Sequence, residues 1–190
     1  MPVRRLVRSC ALTLVTLGVT ATTLAVAPAH AVEQGDDTRS GGAVAMTQSQ
    51  VTKYDERDAA LKQSAAQRFE SRITSAKQTA LAQMGDPYSW GGVGPHAFDC
   101  SGLIYVSYRQ AGFDVPRTSG AQAAYTRRVA KQDMRPGDLM FFHAGGAVYH
   151  AAIFLRWERG RAMMLDAPGS GKRVQVIAPW TDSWFGGTLR

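Results

Sequence analysis

Three residues of this chain have the types and positions for nucleophilic catalysis: Cys100, His150 and Asp166. A cysteine attacks a carbonyl carbon as its thiolate, and an unperturbed thiol with a pKa of about 8.5 is only about 3% ionised at pH 7. A helix predicted to begin at Ser101 would place Cys100 beside free backbone N–H groups and the positive end of the helix dipole. Asp99 opposes ionisation, because a neighbouring carboxylate disfavours a second negative charge. We therefore expect Cys100 to need an imidazolium partner.

Among the histidines, His150 is the candidate base. His96 and His143 lie in glycine-bearing loops and are expected on the surface, whereas His150 falls within a predicted strand. If a three-residue turn joins this strand to the next, antiparallel pairing places His150 directly opposite Asp166, with Cβ atoms about 4.5–5.5 Å apart. A two-residue turn would change the register by one and put Asp166 on the other face of the sheet.

Together the three residues would divide the steps of acyl transfer between them. Cys100 would attack the carbonyl, His150 would stabilise the thiolate and later protonate the leaving amine, and Asp166 would fix the imidazole tautomer. Backbone N–H groups at the start of the Cys100 helix would stabilise the oxyanion.

The first 31 residues have the pattern of a secretory signal peptide. Three arginines precede an apolar run over residues 11–27, and Ala29-His30-Ala31 is a small-x-small cleavage site. Cys10 lies upstream of that site and lacks the placement of a lipid-anchor cysteine. Cleavage would leave Cys100 as the only cysteine, with no intramolecular disulfide partner. The alternative is an uncleaved membrane anchor, although the apolar run is short for a spanning helix.

The chain from Val32 onward, 159 residues, has room for one domain with a proper core. Its charge is modest: removing the three signal-peptide arginines from 22 basic residues leaves 19, against 15 acidic ones. Lys and Arg are scattered, which disfavours a nucleic-acid partner and favours a mild attraction to an anionic surface or polymer. No later segment is apolar enough to cross a membrane, so we expect no stable membrane anchor, and we expect a monomer.

The order of elements predicts an α+β domain, with helices first and an antiparallel sheet after them. Residues 32–50 are small and polar and are predicted to form a flexible leader. Residues 51–84 have a helical composition and an apolar stripe that ends before Gly85 and Pro87. We expect this segment to pack on the domain, in one piece or two; a short coiled coil with a partner is the alternative. Further along, we predict a helix over 101–111 and strands over 139–142, 148–155, 162–167 and 173–177.

Several segments of the chain resemble the NlpC/P60 cysteine peptidases, in the order in which that family has them. They are Tyr88-Ser89-Trp90-Gly91-Gly92, Phe98-Asp99-Cys100-Ser101-Gly102-Leu103, Pro116-Arg117-Thr118-Ser119, Arg135-Pro136-Gly137-Asp138-Leu139 and His150. The resemblance covers residues 73–179 and implies a minimal papain-like α+β fold, with a catalytic domain over 73–190. It also implies a secreted or wall-associated enzyme, without cofactor or metal, that cleaves peptidoglycan stem peptides, commonly between D-glutamate and a diamino acid.

The resemblance further implies substrate contacts by Tyr88, Asp99 and Ser101. Asp99 would bind a free ammonium group of the substrate, which would explain a carboxylate beside the thiolate. Helix capping is an alternative role for Asp99 and Ser101. Arg117 and Ser119 either line the cleft or anchor a loop, and both interpretations stay open.

One position departs from the commonest family pattern, because Asp166 stands where the third catalytic residue is often histidine. Orientation of an imidazole is a role that a carboxylate can fill. For Trp90 and its neighbouring glycines we favour a packed structural turn.

Three classes of function follow from these observations. The leading hypothesis is a peptidoglycan endopeptidase. The second is a cysteine-dependent acyltransferase, or a toxin-type amidase, that acts on cell-wall peptides through the same acyl-enzyme. The third is a non-catalytic wall-binding module, against which the presence of both Cys100 and His150 argues.

Overall fold

Alternate residues of the central strands are buried on opposite faces, so the sheet carries apolar side chains on both sides. The computed structural model describes residues 46–190. The predicted signal peptide, its cleavage site and the predicted leader up to residue 45 lie outside the described residues.

The described elements comprise three α-helices, one 3₁₀ turn and six strands that form one antiparallel sheet. The strand order in the sheet is β1-β6-β2-β3-β4-β5. The helices are α1 (Gln48–Leu81), α2 (Cys100–Gln110) and α3 (Ser119–Tyr125), the 3₁₀ turn is Lys131–Asp133, and the strands are β1 (Arg127–Val129), β2 (Leu139–Ala144), β3 (Ala147–Glu158), β4 (Arg161–Asp166), β5 (Gln175–Ile177) and β6 (Trp184–Thr188). The α+β class predicted from the sequence is confirmed.

The helices cover one face of the sheet and form the larger of two hydrophobic clusters. That cluster joins one alternating set of strand residues to the apolar sides of α1 and α2; its members include Ile73, Ala76, Ala80, Leu103, Ile104, Tyr108, Phe141, Ile153 and Leu165. The other face carries the remaining alternating set, including Met140, Phe142, Phe154, Met164 and Trp184. The sheet is therefore the layer that holds β3 and β4 in fixed positions relative to the start of α2.

Helix α1 begins with a capping box. The Gln50 N–H donates to the Thr47 hydroxyl, and the Gln50 side chain accepts from the Thr47 N–H at 2.9 Å. The helix starts at Gln48, so the last residues of the predicted leader are helical, and it ends at Leu81, three residues before the predicted end. It is one continuous helix.

Only the C-terminal part of the predicted apolar stripe on α1 is buried. Ile73, Ala76 and Ala80 are buried, whereas Leu61 is 64% exposed. Ala, Lys and Gln favour a helix with or without a packing partner, so the helical pattern extends beyond the part that the domain covers. In the described part of the chain, no helix is long and apolar enough to cross a membrane.

Helix α3 and the strands β1 and β6 were not predicted from the sequence. Helix α3 has seven residues, too few to show a helical period, and β1 consists of two exposed arginines and a valine. Strand β6 contains Gly186 and Gly187, which lower its apparent strand propensity. A Cβ at position 187 would lie 2.3 Å from the Thr126 hydroxyl oxygen, so glycine is required where the chain before β1 crosses β6.

The register predicted for the β3–β4 hairpin is wrong. Glu158 pairs with Arg161, so the turn has two residues, and Phe154 pairs with Met164 instead of residue 162. His150 is therefore not directly opposite Asp166. The pairing then shifts by one residue between Phe154 and Arg156. This shift returns Asp166 to the face of the sheet that carries His150, where it was expected.

Candidate active site

Cys100 is the first residue of α2, so the helix begins one residue earlier than predicted. Asp99 is the N-cap: its Oδ1 accepts the Gly102 N–H at 2.6 Å. The N–H groups of Cys100 and Ser101 stand in the first turn, where no intrahelical acceptor exists. They can therefore donate to an oxyanion formed beside the half-buried thiol of Cys100.

Gly102 allows the start of α2 to lie directly against the turn at residues 88–92, which we call the aromatic turn. A Cβ at this position would lie 1.9 Å from the carbonyl oxygen of Gly92, closer than any side chain could come. Two hydrogen bonds use this approach: the Asp99 N–H donates to the Gly92 carbonyl at 3.1 Å, and the Gly91 N–H donates to Asp99 Oδ2 at 2.9 Å. The turn and the cysteine helix are thus held as one unit.

His150 and Asp166 form a hydrogen-bonded pair, with Nε2 of the imidazole 2.7 Å from Oδ1 of the carboxylate. Asp166 is fully buried and His150 is 7% exposed. Because Nε2 faces Asp166, Nδ1 is the ring nitrogen left for Cys100, whose thiol lies close enough to His150 to raise its pKa.

The surroundings of His150 favour its protonated form. Burial is the largest single influence and lowers the pKa of His150, but the hydrogen bonds and charges of Asp166 and Cys100 outweigh it and raise the pKa to about 10. An imidazolium between a carboxylate and a thiol is the partner that a thiolate nucleophile needs.

Arg117 forms an ion pair with Asp99, the carboxylate next to Cys100. Its Nη2 donates to Asp99 Oδ2 at 2.6 Å and its Nη1 to Asp99 Oδ1 at 3.0 Å, a two-pronged geometry, and Nη1 also donates to the Ser101 hydroxyl at 2.9 Å. Burial raises the pKa of Asp99, but the hydrogen bonds from Arg117, Gly102 and Gly91 outweigh it and hold this pKa below its usual value. The electrostatic opposition between Asp99 and Cys100 is reduced accordingly.

The five residues predicted to contact substrate line one cleft with Cys100. They are Tyr88, Asp99, Ser101, Arg117 and Ser119, around a cavity of about 390 Å³. Burial, followed by the charges of Cys100 and Asp99, raises the pKa of Tyr88, so its phenol keeps its proton and can donate. Trp90 also lines this cleft and is 89% exposed, so its side chain is not packed as the sequence analysis favoured.

Two side chains near the site, those of Gln122 and Trp180, were not predicted from the sequence. Gln122, fully buried on α3, donates from Nε2 to the carbonyls of Ser101 and Pro116, both at 2.9 Å, and ties α3 to the start of α2. Trp180 stacks on Phe142 and meets His150 edge to face. No local pattern marks either residue, because each acts across a large separation in sequence.

The other histidines take no part in this arrangement. His96 is exposed, as expected, whereas His143 lies in β2 and is half-buried, with its ring 5.9 Å from that of Phe185. Within residues 46–190, no group of three or more His, Cys, Asp and Glu side chains is placed to hold a metal ion.

A cysteine at the start of a helix, beside a hydrogen-bonded histidine and carboxylate on a sheet, is an arrangement suited to nucleophilic catalysis. A sequence model of the NlpC/P60 family matches residues 85–188, and the chain belongs to this family.

Similarity to individual proteins supports the assignment. The chain is 42% identical over 98 residues to the probable endopeptidase p60 of Listeria monocytogenes, which covers 52% of this chain and 19% of that protein. It is 36% identical over 103 residues to the gamma-D-glutamyl-L-lysine dipeptidyl-peptidase of Bacillus subtilis, covering 53% of this chain and 33% of that one. This chain therefore spans about a fifth and a third of the length of these two relatives.

A solved structure with the same fold shows that the family is not uniform in activity. RipD of Mycobacterium tuberculosis, described as a non-catalytic NlpC/p60 domain protein adapted to a peptidoglycan-binding function, superposes with a TM-score of 0.52 at 29% identity. The match covers 63% of this chain and 98% of RipD. Whether a member of the family is catalytic therefore depends on the residues at its own site.

Proposed function

We propose that this chain is a cysteine endopeptidase that hydrolyses peptidoglycan stem peptides, at the bond between D-glutamate and the diamino acid. The observation that carries the proposal is the His150 imidazole, which is held at 2.7 Å from the buried Asp166 carboxylate and lies close enough to Cys100 for the thiol to raise its pKa. Similarity to the Bacillus subtilis gamma-D-glutamyl-L-lysine dipeptidyl-peptidase supports the choice of bond.

The reaction would follow the acid–base roles that the geometry allows. The Cys100 thiolate attacks the glutamyl carbonyl carbon, and the N–H groups of Cys100 and Ser101 stabilise the oxyanion. The imidazolium of His150 gives its proton to the leaving amine of the diamino acid, which yields an acyl-enzyme. Water, deprotonated by the now neutral His150, then attacks the thioester; the C–S bond breaks, the acid is released, and the thiolate–imidazolium pair is restored.

The cleft would hold the substrate through Tyr88, Asp99, Ser101, Arg117 and Ser119. Both oxygens of Asp99 already accept hydrogen bonds from Arg117 and the backbone. A substrate ammonium would therefore meet an Asp99–Arg117 pair instead of an isolated carboxylate, with the Ser101 hydroxyl and the Tyr88 phenol as further partners.

Export and wall association form part of the same proposal. They rest on the signal-peptide pattern of the first 31 residues and on a substrate that lies outside the cytoplasmic membrane.

Mass mapping of products from defined muropeptides tests the function. We expect the wild-type protein to release fragments with a free amine on the diamino acid and Cys100→Ala to release none. A new cross-link in place of the free amine would show acyl transfer. Equal binding by the two proteins, with no change in the muropeptides, would show a binding module of the kind described for RipD.

A further inference from the structure

Two aromatic rings, those of Trp180 and Phe142, pack against the imidazole of His150. The Trp180 indole lies flat on the Phe142 ring, with centroids 4.5 Å apart and planes 10° apart. Both rings meet His150 at steep angles: Trp180 at 5.1 Å and 69°, Phe142 at 5.6 Å and 67°. Phe142 is also the cross-strand neighbour of His150 on β2.

Trp180 is the outer of these two rings. Phe142 is fully buried and His150 is 7% exposed, whereas Trp180 is 51% exposed. The indole therefore stands between solvent and the imidazole. Trp180 does not line the cleft that contains Cys100, and its contact with the candidate catalytic residues is the edge-to-face contact with His150.

The loop that carries Trp180 is fixed after the tryptophan. The Lys131 ammonium donates to the carbonyl of Asp182 at 2.9 Å, and the His143 N–H donates to the carbonyl of Ser183 at 3.1 Å. Trp184, which follows directly, is buried in the sheet at 6% exposure. These contacts and the stacking on Phe142 together fix the position of the indole.

We propose that Trp180 is a positioning residue of the cysteine mechanism: it clamps the His150 ring in the plane that joins Cys100 to Asp166 and keeps water from that pair. Rotation of the imidazole would have to displace the indole or the phenyl ring. Exclusion of water keeps the local dielectric low, which strengthens the hydrogen bond between His150 and Asp166. This inference rests on the proposed function.

Trp180→Ala and Trp180→Phe test the proposal, with Trp157→Ala as the matched control. Trp157 is similarly exposed, at 41%, and packs on Phe154 near the other end of β3. For Trp180→Ala we expect kcat to fall about tenfold with KM within about twofold of wild type, because the loss of edge-to-face contacts and shielding affects the reacting groups and not substrate binding. Trp180→Phe should restore most of the rate, since a phenyl ring can still stack on Phe142.

A second measurement needs no substrate and so separates this inference from the proposed function. The rate at which iodoacetamide alkylates Cys100 at pH 7 reports the thiolate held by His150. We expect Trp180→Ala to alkylate about fivefold more slowly and Trp157→Ala at the wild-type rate. The proposal is overturned if Trp180→Ala alkylates as fast as wild type, if it raises KM alone, or if Trp157→Ala loses as much. Wild-type protein that cleaves no muropeptide would contradict the proposed function, while slower alkylation of Trp180→Ala than of wild type would still support the positioning role.

Discussion

His150 and Asp166 meet at 2.7 Å because β3 contains one residue that has no counterpart on β4. Arg156 pairs with Met163 and Phe154 with Met164, so Leu155 between them forms a β-bulge. Without the bulge, the pairing at the tip of the hairpin would continue and place Asp166 opposite Ile153, on the face away from the imidazole. With the bulge, Asp166 lies on the same face of the sheet as His150, two residues along the chain from the position directly opposite it. Its carboxylate reaches the ring diagonally across the two strands.

The pH dependence of activity should show how much Asp166 contributes. The pKa of His150 is raised to about 10, so the imidazolium persists until then and the alkaline limb of kcat/KM should fall near pH 10. In Asp166→Asn the hydrogen-bonded anion is gone while burial still lowers this pKa, so the limb should move to lower pH by about 1–3 units. Initial rates on a muropeptide from pH 4 to 11 provide the measurement. A profile without an acid limb, or an alkaline limb unmoved by Asp166→Asn, would contradict the thiolate–imidazolium pair.

The same raised pKa predicts how stability depends on pH. In the folded protein His150 holds its proton up to about pH 10, whereas in the unfolded chain it loses it near the ordinary value of 6.5. The folded state therefore binds more protons between these values, and the contribution to the free energy of unfolding is complete below pH 6.5 and is lost as the pH rises to 10. Urea titrations of wild type and His150→Asn measure it. We expect a smaller decline in the variant over this window, and equal declines would show that His150 has no such pKa.

Gly102→Ala should abolish most of the activity with the nucleophile still present. The added Cβ would overlap the Gly92 carbonyl at 1.9 Å, so the start of α2 must move away from the aromatic turn and carry Cys100 with it. A displacement of about 1 Å costs on the order of 10²-fold in rate. Gly120→Ala is the control: it lies in α3, and nothing is within 4 Å of the Cβ it would add. Muropeptide hydrolysis should be normal in Gly120→Ala, and normal hydrolysis in Gly102→Ala would show that this close approach is not needed.

Arg117→Met should slow both hydrolysis and alkylation of Cys100. It leaves the Asp99 carboxylate, only 7% exposed, without its counter-charge beside the thiol. We expect about a tenfold loss, since an adjacent uncompensated charge shifts an ionisation by about one pH unit or more. Adding Asp99→Asn should recover much of the alkylation rate, because asparagine also caps a helix but carries no charge.

Arg109→Met is the matched control for this change. Arg109 forms an ion pair with Asp114 on the surface, where both side chains are well exposed, and such pairs contribute little. Its alkylation rate should equal that of wild type. An Arg117→Met protein that alkylates normally, or a double variant as slow as the single one, would remove Arg117 from the electrostatics of the nucleophile.

Features of the site that depend on residues close in sequence could be predicted, whereas features that depend on residues far apart in sequence could not. The cap, the helix start and the alternation of β3 are local, and they suffice to place Cys100 at a helix terminus and His150 on a strand. Asp99, the partner of Arg117, lies 18 residues away in the sequence. No local sequence pattern therefore indicates their two-pronged contact. The two candidate roles of Arg117, lining the cleft and anchoring a loop, are both realised in the structure.

The sequence by itself determined the candidate catalytic groups of this protein, which are the thiol at the start of α2, the imidazole on β3 and the carboxylate near the end of β4. It also carries the motifs of the NlpC/P60 family. These follow from residue type and short-range periodicity, which the local backbone obeys. Only the tertiary structure decided that a bulge at Leu155 returns Asp166 to the face of His150, that Arg117 forms an ion pair with Asp99, and that Trp180 covers the imidazole. Each of these depends on strand register or on contacts between distant segments, and the free energy that selects among registers comes from packing the whole sheet.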